Sequence, residues 1–161
     1  MPRASQIAFF TCDFCDDHKA NHSTDFRVIP TVFQNYGARE KFAGAVLTVK
    51  CYEDNSHVKQ AVESDGHGRV LVVDGGASMR RALLGGNLAA AAQRNGWAGI
   101  VIDGCARDAA ELAVLDIGIR ALALNPPRQG PGEEQQPPLA SRYWGLMPVG
   151  NEAFTGRPRL G

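Results

Sequence analysis

An α/β fold is predicted by three features of this 161-residue chain. Two short runs, Arg69-Val70-Leu71-Val72-Val73-Asp74-Gly75-Gly76 and Ala98-Gly99-Ile100-Val101-Ile102-Asp103-Gly104, are rich in β-branched residues and end in Asp-Gly. Both are apolar on both faces, the pattern of strands in a covered sheet. The segment between them, 78–95, has helical composition, and a strand-helix-strand order favours parallel pairing with a right-handed crossover. After residue 125 the composition changes: seven of the nine prolines and six glycines fall in 126–161. Such a stretch sustains neither helix nor central strand and reads as loop or disorder. The expected organisation is a domain over 11–125, most compact over about 26–125, and a divergent Pro/Gly-rich tail over 126–161.

The elements follow in order. Gly44-Ala45-Val46-Leu47-Thr48-Val49-Lys50-Cys51-Tyr52 predicts a strand, and 55–63 a helix after it. The run at 69–74 is the next strand. A helix over 78–95 is expected to kink at Gly85-Gly86 and to stop at Gly96. The strand at 98–104 follows, then a short helix at 109–115. Over 117–124 apolar residues alternate around Gly118 and Arg120, which predicts a last strand.

Composition excludes several classes of function. Lys plus Arg number 17 and Asp plus Glu 17, a formal net charge of zero, which argues against binding nucleic acid by phosphate neutralisation. No apolar run approaches the roughly 20 residues of a membrane span. Only four apolar residues, Ile7 to Phe10, follow the N-terminal polar stretch, too few for a signal-peptide core. The four cysteines, Cys12, Cys15, Cys51 and Cys105, are too sparse for a disulfide scaffold. The expectation is a cytoplasmic single-domain protein.

Ligands in α/β sheets gather beyond the carboxyl ends of the strands, and three segments there carry candidate chemistry. Asp74-Gly75-Gly76-Ala77-Ser78 is glycine-rich but matches neither a P-loop nor G-x-G-x-x-G, so it reads as a tight strand-to-helix turn. At Arg107-Asp108 two readings stand together. Asp108 and Glu111 have capping-box spacing, so Asp108 caps the helix at 109–115; or Arg107 and Asp108 supply a cation and a carboxylate at the mouth of the sheet, the carboxylate suited to Mg²⁺ or Mn²⁺. Gly85-Gly86-Asn87-Leu88 is either a kink against the sheet or a helix start whose open N–H groups receive an anion.

The thiols and imidazoles carry less. Cys12-x-x-Cys15-x-x-His18-x-x-x-His22 offers four ligand types, but its central gap is far shorter than that of zinc fingers. His57 and His67 read as surface groups, and Cys105 as a small buried apolar residue without a neighbouring base in sequence.

An ordered set of blocks resembles the regulator of ribonuclease activity A family, which is related to the class II 4-hydroxy-4-methyl-2-oxoglutarate aldolases. The blocks are Phe33-Gln34-Asn35-Tyr36-Gly37-Ala38-Arg39, Phe42-Ala43-Gly44, Thr48 to Asn55, Val70 to Gly76, Arg80-Arg81-Ala82-Leu83 and Asp116-Ile117-Gly118-Ile119. The resemblance implies a swivelling α/β/β domain assembled as a homotrimer, with sites at subunit interfaces. It implies that Asp108 holds a divalent metal, that Arg107 contacts substrate, and that Gly85, Gly86, Asn87 and Leu88 bind substrate. The activity implied is retro-aldol cleavage of 4-hydroxy-4-methyl-2-oxoglutarate to two pyruvates, with decarboxylation of oxaloacetate through the same enolate. The alternative is a non-catalytic regulator that binds the endoribonuclease RNase E without touching RNA; the carboxylate after Arg107 favours catalysis. Two departures stand out. Ala77 replaces the family's third glycine, and the family's C-terminal strands are not recognisable after residue 125.

Overall fold

A computed structural model of the chain describes residues 10–20 and 28–125. The tail 126–161 and His22 lie outside the described residues. The elements are α1 (Thr11–His18), β1 (Gln34–Asn35), β2 (Val46–Lys50), α2 (Ser56–Glu63), β3 (Val70–Asp74), β4 (Ala82–Leu84), α3 (Gly86–Arg94), β5 (Gly99–Ala106), α4 (Ala109–Leu112) and β6 (Gly118–Leu124). The sheet runs β1-β6-β5-β3-β2, with β4 added alongside β5. Every described pairing is parallel except that of β1 with β6. This is the predicted α/β class.

The register explains why the strands are apolar on both faces. Leu47, Leu71, Ile100 and Ile119 stand side by side and, with the row at Val73 and Ile102, form the face that packs against Val58 and Val62 of α2 and Ala89 and Ala92 of α3. The other face carries Val70, Val72 and Val101 beneath Phe33 and Phe42. Here the row Val70–Gly99–Gly118 matters, because a Cβ on either Gly99 or Gly118 would overlap the Phe42 ring. The two glycines form the bed in which Phe42 lies.

Local chemistry sets the helix ends. The Asp54 carboxylate accepts the Ser56 N–H at 2.9 Å and its hydroxyl at 3.0 Å, which opens α2. Past α3, Gly96 takes the left-handed conformation at φ 76°. Its N–H reaches the Gln93 carbonyl, and the Trp97 N–H reaches that of Ala92, the paired bonds by which a glycine closes a helix. The predicted stop at Gly96 is thus observed. Trp97 is buried and its ring N–H donates to the Ser64 carbonyl at 3.1 Å, tying the end of α2 to the end of α3.

Several expected boundaries are corrected. The helix expected over 78–95 begins only at Gly86; residues 78–81 are irregular, and Ala82–Leu84 is the strand β4. The reason is non-local. β5 is eight residues long and outruns β3, so the edge at Cys105 and Ala106 is open to pair with Ala82 and Leu84. Accordingly 74–78 is not a strand-to-helix turn but leads towards this extra strand, and Gly85-Gly86 is a helix start rather than a kink. The helix expected at 109–115 stops at Leu112. α1 and the two-residue β1 were not expected; α1 has no buried residue, so no apolar stripe announces it.

Candidate functional site

The site grows from the carboxyl end of β5. Arg107 leaves the strand with its N–H still bonded to the Leu84 carbonyl at 2.9 Å, so β4 fixes where the next residue begins. Asp108 then adopts φ 62°, the left-handed region that aspartate tolerates better than most residues. Its backbone carbonyl accepts the Glu111 and Leu112 N–H groups and starts α4. Its side chain does not cap that helix, which overturns the capping-box reading: the left-handed turn aims the carboxylate elsewhere. Oδ2 accepts the Gly86 N–H at 3.2 Å, on the first turn of α3, 22 residues earlier in the chain. The same oxygen pairs with Arg107 Nε at 3.4 Å.

The glycine pair is required by this arrangement. A Cβ on Gly85 would fall 2.8 Å from Asp108 Oδ2 and 3.0 Å from Arg107 Nε. One on Gly86 would overlap the Glu111 carboxylate. The structure therefore brings Arg107, Asp108, Gly85 and Gly86 together as the sequence suggested. Asn87 is exposed on the same first turn, whereas Leu88 packs its side chain against the main core and offers only its backbone. Sequence reasoning missed Glu111, which it used up as a capping partner. The missed signal was the unbranched Gly-Gly pair, which asks what fills the space of two absent side chains.

A second polar cluster ties neighbouring strand ends together. Glu53, after β2, accepts the Ser78 hydroxyl at 2.8 Å and two bonds from Arg80, 2.7 Å from Nε and 2.9 Å from Nη2. Arg80 holds the Glu53 carboxyl below the usual carboxylate range, aided by Ser78. Ala77 lies between them at φ 55°, a conformation glycine adopts at no cost; this is the position where the resembled family has its third glycine. Because the folded pKa of Glu53 is depressed, its contribution to stability is full above the unfolded value near 4.3 and is lost as pH falls through the folded value. Arg80 is 62% exposed, so solvent screens the pair and the contribution is small. Glu53→Gln is expected to be slightly less stable than the parent at pH 7, in urea titrations, with the difference shrinking as pH falls through the folded pKa of Glu53.

Other candidates fall away from this site. Burial pushes the Cys105 thiol up and its sulfur lies 3.5 Å from that of Met79, in keeping with a packed apolar role. His57 and His67 are exposed, as expected. Cys12 and Cys15 are free thiols on α1, and among the described residues no three acidic, histidine or cysteine side chains gather into a metal-binding group. A groove of about 430 Å³ lies between β2 and α2, lined by Val49, Lys50, His57 and Gln60 among others, and holds none of the candidate residues. No described helix is long and apolar enough to cross a membrane.

Comparison with known proteins places this geometry. The profile of the RraA-like family, described as Aldolase/RraA, matches residues 11–140. The chain belongs to the Aldolase/RraA family. A protein of Albidiferax ferrireducens named "Putative 4-hydroxy-4-methyl-2-oxoglutarate aldolase" is 60% identical over 137 residues, 80% of this chain and 79% of that protein. Among solved structures, the RNA-processing inhibitor RraA from Thermus thermophilis is 43% identical with a TM-score of 0.68, covering 76% of this chain and 71% of that one. A structure from Geobacillus kaustophilus described as an S-adenosylmethionine:2-dimethylmenaquinone methyltransferase is 40% identical with a TM-score of 0.66, covering 78% and 76%. Relatives between 40% and 60% identical thus carry three different functional names, and the choice among them falls to the site.

Proposed function

We propose that this protein is a divalent-metal-dependent lyase that cleaves 4-hydroxy-4-methyl-2-oxoglutarate to two pyruvates and also decarboxylates oxaloacetate. The observation that carries the reading is the Arg107–Asp108 pair held against the first turn of α3, a cation and a carboxylate beside a helix N-terminus. The relatives named as aldolases support the same class. The donor set fits Mg²⁺ or Mn²⁺: the Asp108 side chain is 38% exposed and offers hard oxygen, and the glycines at 85 and 86 leave the carboxylate its room. Such ions bind through one or two carboxylates and fill their remaining positions with water and substrate, so the lack of a larger ligand group is no obstacle. When bound, the ion supplies Lewis-acid stabilisation of the charge that develops on the 2-oxo group.

The chain's own residues do the rest. Asp108 would hold the ion. Arg107, its side chain 67% exposed, is free to swing its guanidinium towards the oxygens of the forming pyruvate enolate. Asp108 takes the Gly86 N–H, which leaves those of Asn87 and Leu88, also without an intrahelical partner in a first turn, for a substrate carboxylate. In cleavage the C4 hydroxyl loses its proton, the C3–C4 bond breaks, one pyruvate departs, and the enolate left behind takes a proton to become the second. Oxaloacetate reaches the same enolate by losing CO₂, which is why one site serves both reactions. The family resemblance adds a homotrimer with the site at a subunit interface and a cytoplasmic location to this proposal.

Pyruvate release from each substrate, followed by coupled lactate dehydrogenase, tests it. Turnover with Mg²⁺ above the metal-only blank, removed by excess chelator and restored by added Mg²⁺, is the expected result. The second reading, a non-catalytic partner of RNase E, is favoured by the 43% identical RNA-processing inhibitor. A folded protein without turnover that inhibits RNase E cleavage equally with and without metal would put that reading first.

A further inference from the structure

We infer that Cys12 and Cys15 form a redox-active dithiol on α1, which a small disulfide compound oxidises to an intramolecular disulfide. Both thiols are free, Cys12 exposed and Cys15 half-buried, and they stand three residues apart on the helix Thr11–His18. Residues at that spacing share a face, and helical rise and rotation put their Cα atoms about 5 Å apart, inside the range a disulfide spans. Their Cβ atoms, about 5–6 Å apart, must approach by about 1–2 Å. The helix yields that distance at little cost. Cys12 is its second residue, in the turn whose N–H groups lack intrahelical partners, and no residue of α1 is buried, so no core packing moves with it. The turn is anchored at Phe10, whose carbonyl accepts the Phe14 N–H at 3.1 Å and whose ring centroid lies 3.9 Å from Lys41 Nζ. The other two thiols are poorer nucleophiles. Burial pushes the Cys105 thiol up, and burial together with Asp74 and Asp54 does the same to Cys51, so the reactive thiolate is scarcer at both.

Oxidation takes two exchange steps. The Cys12 thiolate attacks one sulfur of the reagent, forming a mixed disulfide and expelling a thiolate that takes up the proton Cys12 gave. The Cys15 thiolate then attacks the Cys12 sulfur and expels the second half of the reagent in the same way. Two electrons pass from the pair to the reagent, which leaves as two thiols. None of the groups of the proposed lyase site takes part, so this inference and that reading stand or fall separately.

The test equilibrates the full chain with graded mixtures of hydroxyethyl disulfide and 2-mercaptoethanol, a neutral couple chosen because Asp13, Asp16 and Asp17 on α1 repel anionic glutathione. The remaining thiols are then alkylated and located by peptide mass mapping, and a non-reducing gel detects links between copies. The parent is expected to lose two of its four thiols together, with Cys12 and Cys15 joined within one chain while Cys51 and Cys105 are still alkylated, and dithiothreitol should restore both. Cys15→Ser should stop at the mixed disulfide on Cys12, and Cys12→Ser should keep Cys15 largely as the thiol; the melting temperatures of the reduced variants show that the fold is intact. Cys12 and Cys15 that each carry the reagent without joining, or that link one copy to another, overturn the inference. So does a mixture that oxidises Cys51 or Cys105 as readily as the pair.

Discussion

Asp108→Asn and Arg107→Ala are each expected to lower kcat for pyruvate release about 10²–10³-fold, equivalent to about 2.7–4 kcal/mol of transition-state stabilisation. Neither side chain is part of the core: Arg107 is 67% exposed and Asp108 38%. Folding should therefore survive, and circular dichroism and melting temperature are the controls. Asparagine is the better replacement at 108, because it tolerates φ 62° as aspartate does and its amide oxygen still accepts the Gly86 N–H. Asp108→Ala should be equally inactive, with an added loss of stability from a left-handed alanine and an unmet helix N–H. Asp108→Asn with undiminished metal-dependent turnover would reduce Asp108 to a brace between β5 and α3. Arg107→Ala separates two roles. Loss confined to kcat marks a group acting on the developing enolate, whereas a raised KM alone marks uniform binding of the substrate.

The second large effect is structural. Gly118→Ala is expected to destabilise the protein by about 1–3 kcal/mol, since its Cβ would overlap the Phe42 ring and the neighbours must shift to admit it. Gly99→Ala should behave alike, because the same ring crosses both positions. The discriminating measurement is a double-mutant cycle with Phe42→Ala. Removing the ring is itself destabilising, through lost cover over Val70, Val72 and Val101. In its absence the added methyl at 118 has room, so the combined variant should be less destabilised than the sum of the two singles. Additive effects would show that the glycine serves the strand and not the ring.

These two predictions differ in how far they could be read beforehand. Arg107, Asp108 and the Gly85–Leu88 segment were legible, because short sequence spacings and the end of an apolar strand mark where ligands gather. What Asp108 does there was only half legible. Its spacing to Glu111 matches a capping box, and a one-dimensional pattern cannot show that a left-handed turn redirects the carboxylate to Gly86, 22 residues away. Glu111 was missed for the same reason. Ala77 illustrates the converse. Its departure from the expected glycine was visible as a letter, but its φ of 55° gives that letter a physical meaning.

The sequence by itself determined the α/β class, the parallel strands around β3 and β5, the helix stop at Gly96 and the placement of the candidate residues Arg107 and Asp108 just beyond β5. These follow from local hydrophobic pattern, β-branched content and glycine chemistry, which act within a few residues. Tertiary structure alone decided that 82–84 is a strand rather than helix, that Phe42 lies in a bed of two glycines, and that Asp108 and Glu111 converge on α3. Each of these rests on residues far apart in the chain: a long β5 edge offering unpaired backbone groups, a ring needing two absent side chains, and a carboxylate that takes an open N–H of a helix start while another fills the space beside its glycine. Free energy from such contacts exceeds the modest local preference for helix or cap, and only the folded chain brings the partners together.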